Sequence, residues 1–244
     1  MYTFTSKIRF SEVGQDGLLT MPSLVNYYQD CTIFQSEGSA GSLERLKEKG
    51  YAWLLSSWQI VVARYPRLCE EVVTGTIPYK IKQFFGERNF FMDSPDGERL
   101  SWGNSLWILM DMEKNSPGRM TPEIEASYPI EERLDMDYAP RKIRFPKDGD
   151  TQMSEEITVR LRDLDTNRHM NNEQYIRIAV DCLPPEAGWI REMRAEYRKQ
   201  AFLGDIIRPL VNLKETEGLS IYTVALNGED GTPFCTVEFK VAKK

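Results

Sequence analysis

An internal repeat constrains this chain more than any other feature. At a constant offset of 151 residues, Ile8 falls on Val159, Arg9 on Arg160, Phe10 on Leu161, Glu12 on Asp163, Val13 on Leu164, and Asp30-Cys31 on Asp181-Cys182, with no gap between them. A repeat of that length means one supersecondary unit built twice. In the second copy Ile157, Val159 and Leu161 alternate with Thr158, Arg160 and Arg162, the period-two pattern of a half-buried strand. A polar turn follows. Then Leu24, Tyr28 and Cys31 in copy one, and Tyr175, Ala179 and Cys182 in copy two, recur at the spacing of one helix face. Pro184-Pro185 stops the second helix.

Strand-like runs follow each helix: Leu54 to Ala63, Val72 to Phe85 and Leu106 to Met112 in the first copy. The second copy has Arg194 to Lys199, Ile206 to Leu213, Ile221 to Leu226 and Cys235 to Val241. Asp96-Gly97 and Asp230-Gly231 are turn signals before the last strand of each copy. A strand, a long helix and a curling antiparallel sheet, twice over, predict an α+β chain of tandem (double) hotdog form, each unit a long helix wrapped by a curved antiparallel sheet. The boundaries read as residues 1–119 for the N-terminal unit, 120–150 for a linker rich in Pro and acidic residues, and 151–244 for the C-terminal unit. Copy one carries extra chain over Ser42 to Lys49, a short helix capped by Ser42 and ended by Gly50. A further short helix is expected in the linker near Pro129 to Leu134.

Composition removes several classes of function. With 41% hydrophobic and 28% charged residues, the chain of 244 residues can bury a core and is not a disordered or low-complexity segment. Its apolar runs, such as Leu106 to Met110, fall far short of the ~18 residues of a membrane span, so no membrane partner is expected. The start, Met1 to Phe10, alternates like a strand and resembles neither a signal nor a transit peptide, which predicts action in the cytosol. A net charge of −6 argues against nucleic acid as a partner. Cysteines at 31, 69, 182 and 235 form no C-x-x-C pair, so no metal site, redox motif or cofactor is expected. There is one histidine, His169.

That histidine lies in a dense polar turn, Asp163-Leu164-Asp165-Thr166-Asn167-Arg168-His169-Met170-Asn171-Asn172. Asp and Asn are common in turns for structural reasons alone. The repeat supplies a control, because copy one has Gly14, Asp16, Leu18, Thr20 and Met21 where copy two has Asp165, Asn167, His169, Asn171 and Asn172. The shared scaffold therefore does not require the imidazole or Asp165. One working site and one degenerate copy is the reading this favours.

The run from Asp163 to Ile176, D-L-D-x-N-x-H-x-N-N-x-x-Y-I, resembles the signature of the acyl-acyl carrier protein thioesterases, tandem-hotdog enzymes of plant plastids and bacteria. Ala195 to Gln200 is similar to the family's E-Y-R-R-E-C segment, but Gln200 and Ala201 stand where the family has its acidic residue and cysteine. The resemblance implies hydrolysis of fatty acyl thioesters on acyl carrier protein, with a phosphopantetheine-linked acyl chain as substrate and copy one housing that chain. It places the catalytic set on Asp165, Asn167 and His169, with Gln200 as a weaker, water-orienting member that cannot take a proton. Asp165 and His169 are then a coupled acid-base pair and Asn167 positions substrate or water, while backbone N–H groups at the start of the Asn172 helix receive the oxyanion. A covalent acyl-Asp165 intermediate, a coenzyme A thioesterase, a non-catalytic acyl-binding protein and a hotdog hydratase remain alternatives, and a homodimer is left open. Two basic clusters, Arg141, Lys142, Arg144 and Lys147, and Arg191, Arg194, Arg198 and Lys199, are the candidate docking patches for an acidic carrier.

Overall fold

The computed structural model describes residues 1–243, which divide into two compact units: Met1–Ser56 with Val62–Tyr138, and Ser57–Val61 with the described chain from Ala139 onward. The first unit runs β1 (Tyr2–Lys7), α1 (Met21–Ser36), α2 (Leu43–Glu48), β2 (Tyr51–Val62), β3 (Glu71–Lys82), β4 (Phe85–Asp93), β5 (Arg99–Asp111), β6 (Ser116–Pro117) and α3 (Pro122–Glu125). Its antiparallel sheet has the order β1-β3-β4-β5-β2. Helix α1 starts where Thr20 accepts a hydrogen bond from Ser23 N at 3.3 Å and Pro22 fills the first turn. Its inner face buries Leu24, Val25, Tyr27, Tyr28 and Cys31 against the sheet. Burying aliphatic side chains of this size stabilises the unit by roughly 1.5–3 kcal/mol each. Tyr28 stacks on Phe90 with ring centroids 5.0 Å apart, and its hydroxyl lies 2.8 Å from Ser101 Oγ, so the buried oxygen is satisfied.

The second unit contains β7 (Asp150–Met153), β8 (Ile157–Thr158), α4 (Asn172–Asp181), β9 (Trp189–Tyr197), β10 (Ile206–Glu215), β11 (Leu219–Asn227) and β12 (Pro233–Ala242). Strand order is β9-β12-β11-β10-β7, all antiparallel, and Ser57–Val61 from the middle of β2 pairs with Glu192–Glu196 of β9. Helix α4 buries Tyr175, Ile176, Ile178 and Ala179 against β11 and β12. Each unit is thus a helix against a curved antiparallel sheet, the tandem hotdog arrangement. No helix among the described residues is long and apolar enough to cross a membrane.

The structure departs from the sequence reading in local places. The run Val72 to Phe85 is broken, because Gln83 takes a left-handed φ of 58° and turns the chain into a separate strand, β4. In copy two the alternating stretch pairs only over Ile157–Thr158, and Leu161 to Asp163 form a single 3-10 turn that leaves Leu161 exposed. The short helix of the stretch 120–150 lies at Pro122–Glu125, not near Pro129 to Leu134. Thr121 accepts from Ile124 N at 3.4 Å and Pro122 fixes the first turn there, while Pro129 cannot continue a helix. Within unit 1 Ile124 and Tyr128 are buried with Leu46 and Leu109.

Candidate active site

The polar turn of unit 2 is a tight loop held by its own backbone. The 3-10 turn at Leu161–Asp163 is closed by a hydrogen bond from Arg160 N to Asp163 Oδ2 at 2.8 Å, and Asn171 N donates to Asp163 O at 2.9 Å. Inside that frame Asp165 N donates to His169 O at 2.7 Å and Arg168 N to Asp165 O at 3.0 Å. Arg168 takes a left-handed φ of 63°, a conformation that costs a non-glycine residue on the order of 1 kcal/mol.

The Asp165 carboxylate completes this loop. Its Oδ1 accepts from Asn167 N at 2.8 Å and from His169 N at 3.1 Å. The acid therefore reaches His169 through the main chain, and no hydrogen bond joins its carboxylate to the imidazole among the described residues. Neither ring nitrogen of His169 hydrogen-bonds a described residue, and the exposed Asn167 amide likewise projects without a partner. Asp165 and His169 are half-buried. Such groups can meet a water or a substrate carbonyl.

Gln200 comes to this loop through its neighbours. Met170 N donates to Ala201 O at 2.9 Å, and Phe202 meets the His169 ring edge to face, with centroids 5.1 Å apart. Ala201 N in turn donates to the hydroxyl of Tyr175 on α4 at 2.9 Å, a phenol that burial holds well above its usual pKa and so keeps protonated. Tyr197 packs edge-on against Tyr175 and donates to Asn172 O at 3.0 Å. The Gln200 side chain is half-buried and makes no hydrogen bond to a described residue.

Two of the amides at the start of α4 are taken up by its cap. Asn171 caps it, taking Glu173 N on its Oδ1 at 3.0 Å and Gln174 N on its carbonyl at 2.9 Å. Glu173, buried in the first turn and bonded by Arg177 Nη2 at 2.5 Å, adds a carboxyl whose pKa burial raises. Those two amides are spent on the helix itself.

Unit 1 repeats the loop with other side chains. Gly14 N donates to Leu18 O at 2.9 Å, Gly17 has φ 73° where Arg168 stands in unit 2, and Thr20 N donates to Glu12 O at 3.1 Å. There the holding carboxylate is Asp16, whose Oδ1 accepts from Leu18 N at 3.0 Å. The downstream segment repeats as well: Leu19 N donates to Pro66 O as Met170 N does to Ala201 O. Arg67 N bonds Glu70 Oε2 at 2.8 Å as Phe202 N bonds Asp205 Oδ2 at 2.9 Å. Tyr65 thereby holds the place of Gln200. The constant offset does not reach this second stretch, nor the parts played by Phe202 and Tyr175, because copy one carries extra chain between helix and sheet.

The basic clusters divide. Arg194 bonds Glu238 and the carbonyl of Pro140, Arg198 bonds Glu196, and Lys199 pairs with Asp230, whereas Arg141, Lys142, Arg144 and Lys147 are exposed. Of the four cysteines, Cys31 and Cys235 are buried, Cys182 is half-buried and Cys69 is exposed. Burial pushes the Cys31 thiol up to about 12.

Comparison with known proteins places this arrangement among relatives. Residues 1–128 match the family description Acyl-ACP thioesterase N-terminal domain, and residues 147–240 match Acyl-ACP thioesterase C-terminal domain. A chloroplastic acyl-[acyl-carrier-protein] hydrolase of Cuphea viscosissima is 27% identical over 92% of this chain and 58% of its own length. A chloroplastic palmitoyl-acyl carrier protein thioesterase of Arabidopsis thaliana is 22% identical over 91% of this chain and 57% of its own. The chain thus spans less than two thirds of the length of these curated relatives. Among solved structures, an acyl-ACP thioesterase from Bacteroides thetaiotaomicron superposes with a TM-score of 0.85 at 22% identity, covering 98% of this chain and 96% of that one. A 12:0-ACP thioesterase from Umbellularia californica does so with a TM-score of 0.84 at 21% identity, covering 100% and 97%. At such identities the structures speak for the fold.

Proposed function

The chain belongs to the acyl-ACP thioesterase family, and from that membership we propose that it hydrolyses fatty acyl thioesters carried on acyl carrier protein, releasing the free fatty acid. The observation that carries the reading is the pair of loops: one backbone is built twice, and only the unit 2 copy bears Asp165, Asn167 and His169.

In this proposal His169 takes a proton from a water as the water oxygen attacks the thioester carbonyl carbon. The carbon–sulfur bond then breaks, and the phosphopantetheine sulfur leaves and takes up the proton. A thiol of pKa about 8.5 is a good leaving group, so the enzyme has mainly to activate water and hold the oxyanion. Asn167 positions water or carbonyl by its side-chain amide, and Gln200 orients the water without accepting its proton. Asp165 holds His169 by the main chain and contributes its negative charge nearby, which favours an imidazolium in the transition state. Unit 1 houses the acyl chain, and the exposed basic stretch Arg141 to Lys147 is the surface offered to an acidic carrier.

Steady-state hydrolysis of the same acyl group on carrier protein and on coenzyme A tests the reading. The carrier-bound substrate should have the higher kcat/KM, and His169→Ala should lower it by roughly 10² to 10⁴-fold, the usual contribution of a general base. Faster turnover of the coenzyme A ester would reassign the substrate. Near-normal turnover by His169→Ala, with the fold intact, would remove His169 from the chemistry.

A further inference from the structure

The two basic clusters of unit 2 meet. Residues 139–147 belong to no helix or strand, and side chains of the sheet hold their main chain. Gln59 Oε1 accepts from Ala139 N at 2.9 Å, and Arg194 Nη2 donates to the carbonyl of Pro140 and, at 3.4 Å, to that of Lys142. Glu196 Oε2 accepts from Ile143 N at 2.9 Å, while Arg198 Nη2 donates to Ile143 O at 3.2 Å. Both polar groups of the Ile143 backbone are thus satisfied, and its side chain is 2% exposed.

Strand periodicity builds this clamp. Arg194 and Glu196 on β9, and Arg198 just past its end, are alternate residues and share one face of the sheet. Gln59 of β2 and Glu238 of β12 stand opposite Arg194 in register. Each clamping side chain is itself held: Arg194 by Glu238 at 2.9 Å, Gln59 by Glu192 at 2.9 Å, and Arg198 by Glu196 at 2.8 Å. Glu196 is only 4% exposed, a place where a carboxylate needs the ion pair and hydrogen bonds it has.

What the clamp presents is positive charge. Lys142 and Arg144 flank the buried Ile143 and are exposed, as is Lys147, and none of the three forms an ion pair among the described residues. Asp148, the next acid along the chain, is taken by Lys214 at 2.9 Å. No more than roughly 7 Å of backbone separates Arg198 from Gln200, so the segment is anchored close to the His169 loop. We infer that Arg194, Glu196 and Arg198 are positioning residues that fix residues 139–147 as a preformed docking site for an acidic carrier protein, with Lys142 and Arg144 as its contacts. This rests on the carrier reading above and gives the two basic clusters different work, one docking and one holding. A segment ordered on folding has less conformational freedom to lose on binding, and its charge guides the encounter.

Two measurements that need no turnover test it. Fluorescence anisotropy of labelled holo acyl carrier protein reads its binding to the full chain at low salt, and trypsin cleavage after Lys142 and Arg144 reads how firmly the segment is held. Lys142→Glu with Arg144→Glu should weaken carrier binding roughly tenfold. Glu196→Ala should weaken it roughly three- to tenfold and speed cleavage of the segment, while Glu196→Gln, which keeps an oxygen acceptor, should lose less on both counts. Thermal unfolding checks each variant, and Arg198→Met takes the place of Glu196→Ala where that protein does not fold. Carrier binding unaltered by the double charge reversal would overturn the docking site, and cleavage no faster in the clamp variants would overturn the clamp. No carrier binding by the parent chain would overturn both. Carrier binding that follows these variants in a chain without hydrolysis would support the docking site and fault only the chemistry proposed for His169.

Discussion

Asp165 can be tested for two roles at once, because unit 1 supplies the design of the control. In unit 2 its Oδ1 holds Asn167 N and His169 N, while in unit 1 the same turn is held by Asp16 Oδ1 on Leu18 N, with Gly14 in the place of Asp165. Asp165→Ala removes the one oxygen that accepts both bonds. Two intramolecular hydrogen bonds at a net of roughly 0.5 to 1.5 kcal/mol each give about 1 to 3 kcal/mol, and the lower half of that range applies because unit 1 closes its loop with a single such bond. For a chain of this size the loss corresponds to a fall of about 2 to 8 °C in Tm. The double variant Asp165→Gly with Asn167→Asp rebuilds the unit 1 loop, moving the carboxylate two residues along. It should recover most of the lost Tm while hydrolysis stays depressed, since the Asn167 amide is gone. Asp165→Asn keeps an oxygen acceptor and should hold Tm within about 2 °C, with kcat/KM falling by the value of the charge alone. Differential scanning fluorimetry and steady-state kinetics on purified variants give both readouts. An Asp165→Ala protein with unchanged Tm would refute the loop-holding role, and full activity in Asp165→Asn would refute the need for its charge.

Two further outcomes are expected. Alkylation should modify Cys69, the exposed thiol, and leave hydrolysis intact, because Cys31 and Cys235 are buried and Ala201 stands where a family cysteine would be; rapid inactivation that substrate prevents would contradict this. Gln200→Ala should lower kcat/KM by roughly ten- to a hundredfold, the worth of one lost hydrogen bond to a buried water, with stability nearly unchanged because its amide has no protein partner to lose. Gln200→Glu should be tolerated, and a rate within a few-fold of the parent in Gln200→Ala would show that this side chain only packs.

The repeat made the architecture legible because periodicity records burial, and both copies bury the same helix face. Leu24, Tyr28 and Cys31 are core residues, as are Tyr175 and Ala179. The turn dipeptides were legible for the same local reason: Gly97 and Gly231 take φ of 85° and 76°, which other residues adopt at a cost. The break at Gln83 was hidden, since a glutamine at positive φ carries no sequence signal. The grouping of Asp165, Asn167 and His169 could be read because they share one loop, but the use of Asp165 on backbone amides could not be distinguished from a contact with the imidazole.

The strongest sign that the unit 2 loop is kept for chemistry is a bond that unit 1 has no means to form. Ala201 N donates to the Tyr175 hydroxyl, and the counterparts are Pro66, which has no amide hydrogen, and Leu24, which has no hydroxyl. Both partners are absent together, yet unit 1 still joins its loop to the downstream segment through Leu19 N and Pro66 O. The fold therefore does not need the tyrosine bond. What the bond adds is a second fixed point for the segment bearing Gln200 and Phe202. With Met170 N on the carbonyl of Ala201 and the Tyr175 hydroxyl on its amide, the two peptide groups flanking Ala201 are each fixed, and Phe202 is set edge-on to the only histidine. A buried phenol spent on positioning one backbone amide makes physical sense where a side chain next to that amide must be placed to within a fraction of an ångström, which is the demand of an imidazole acting on a water and not of a turn that merely closes a sheet.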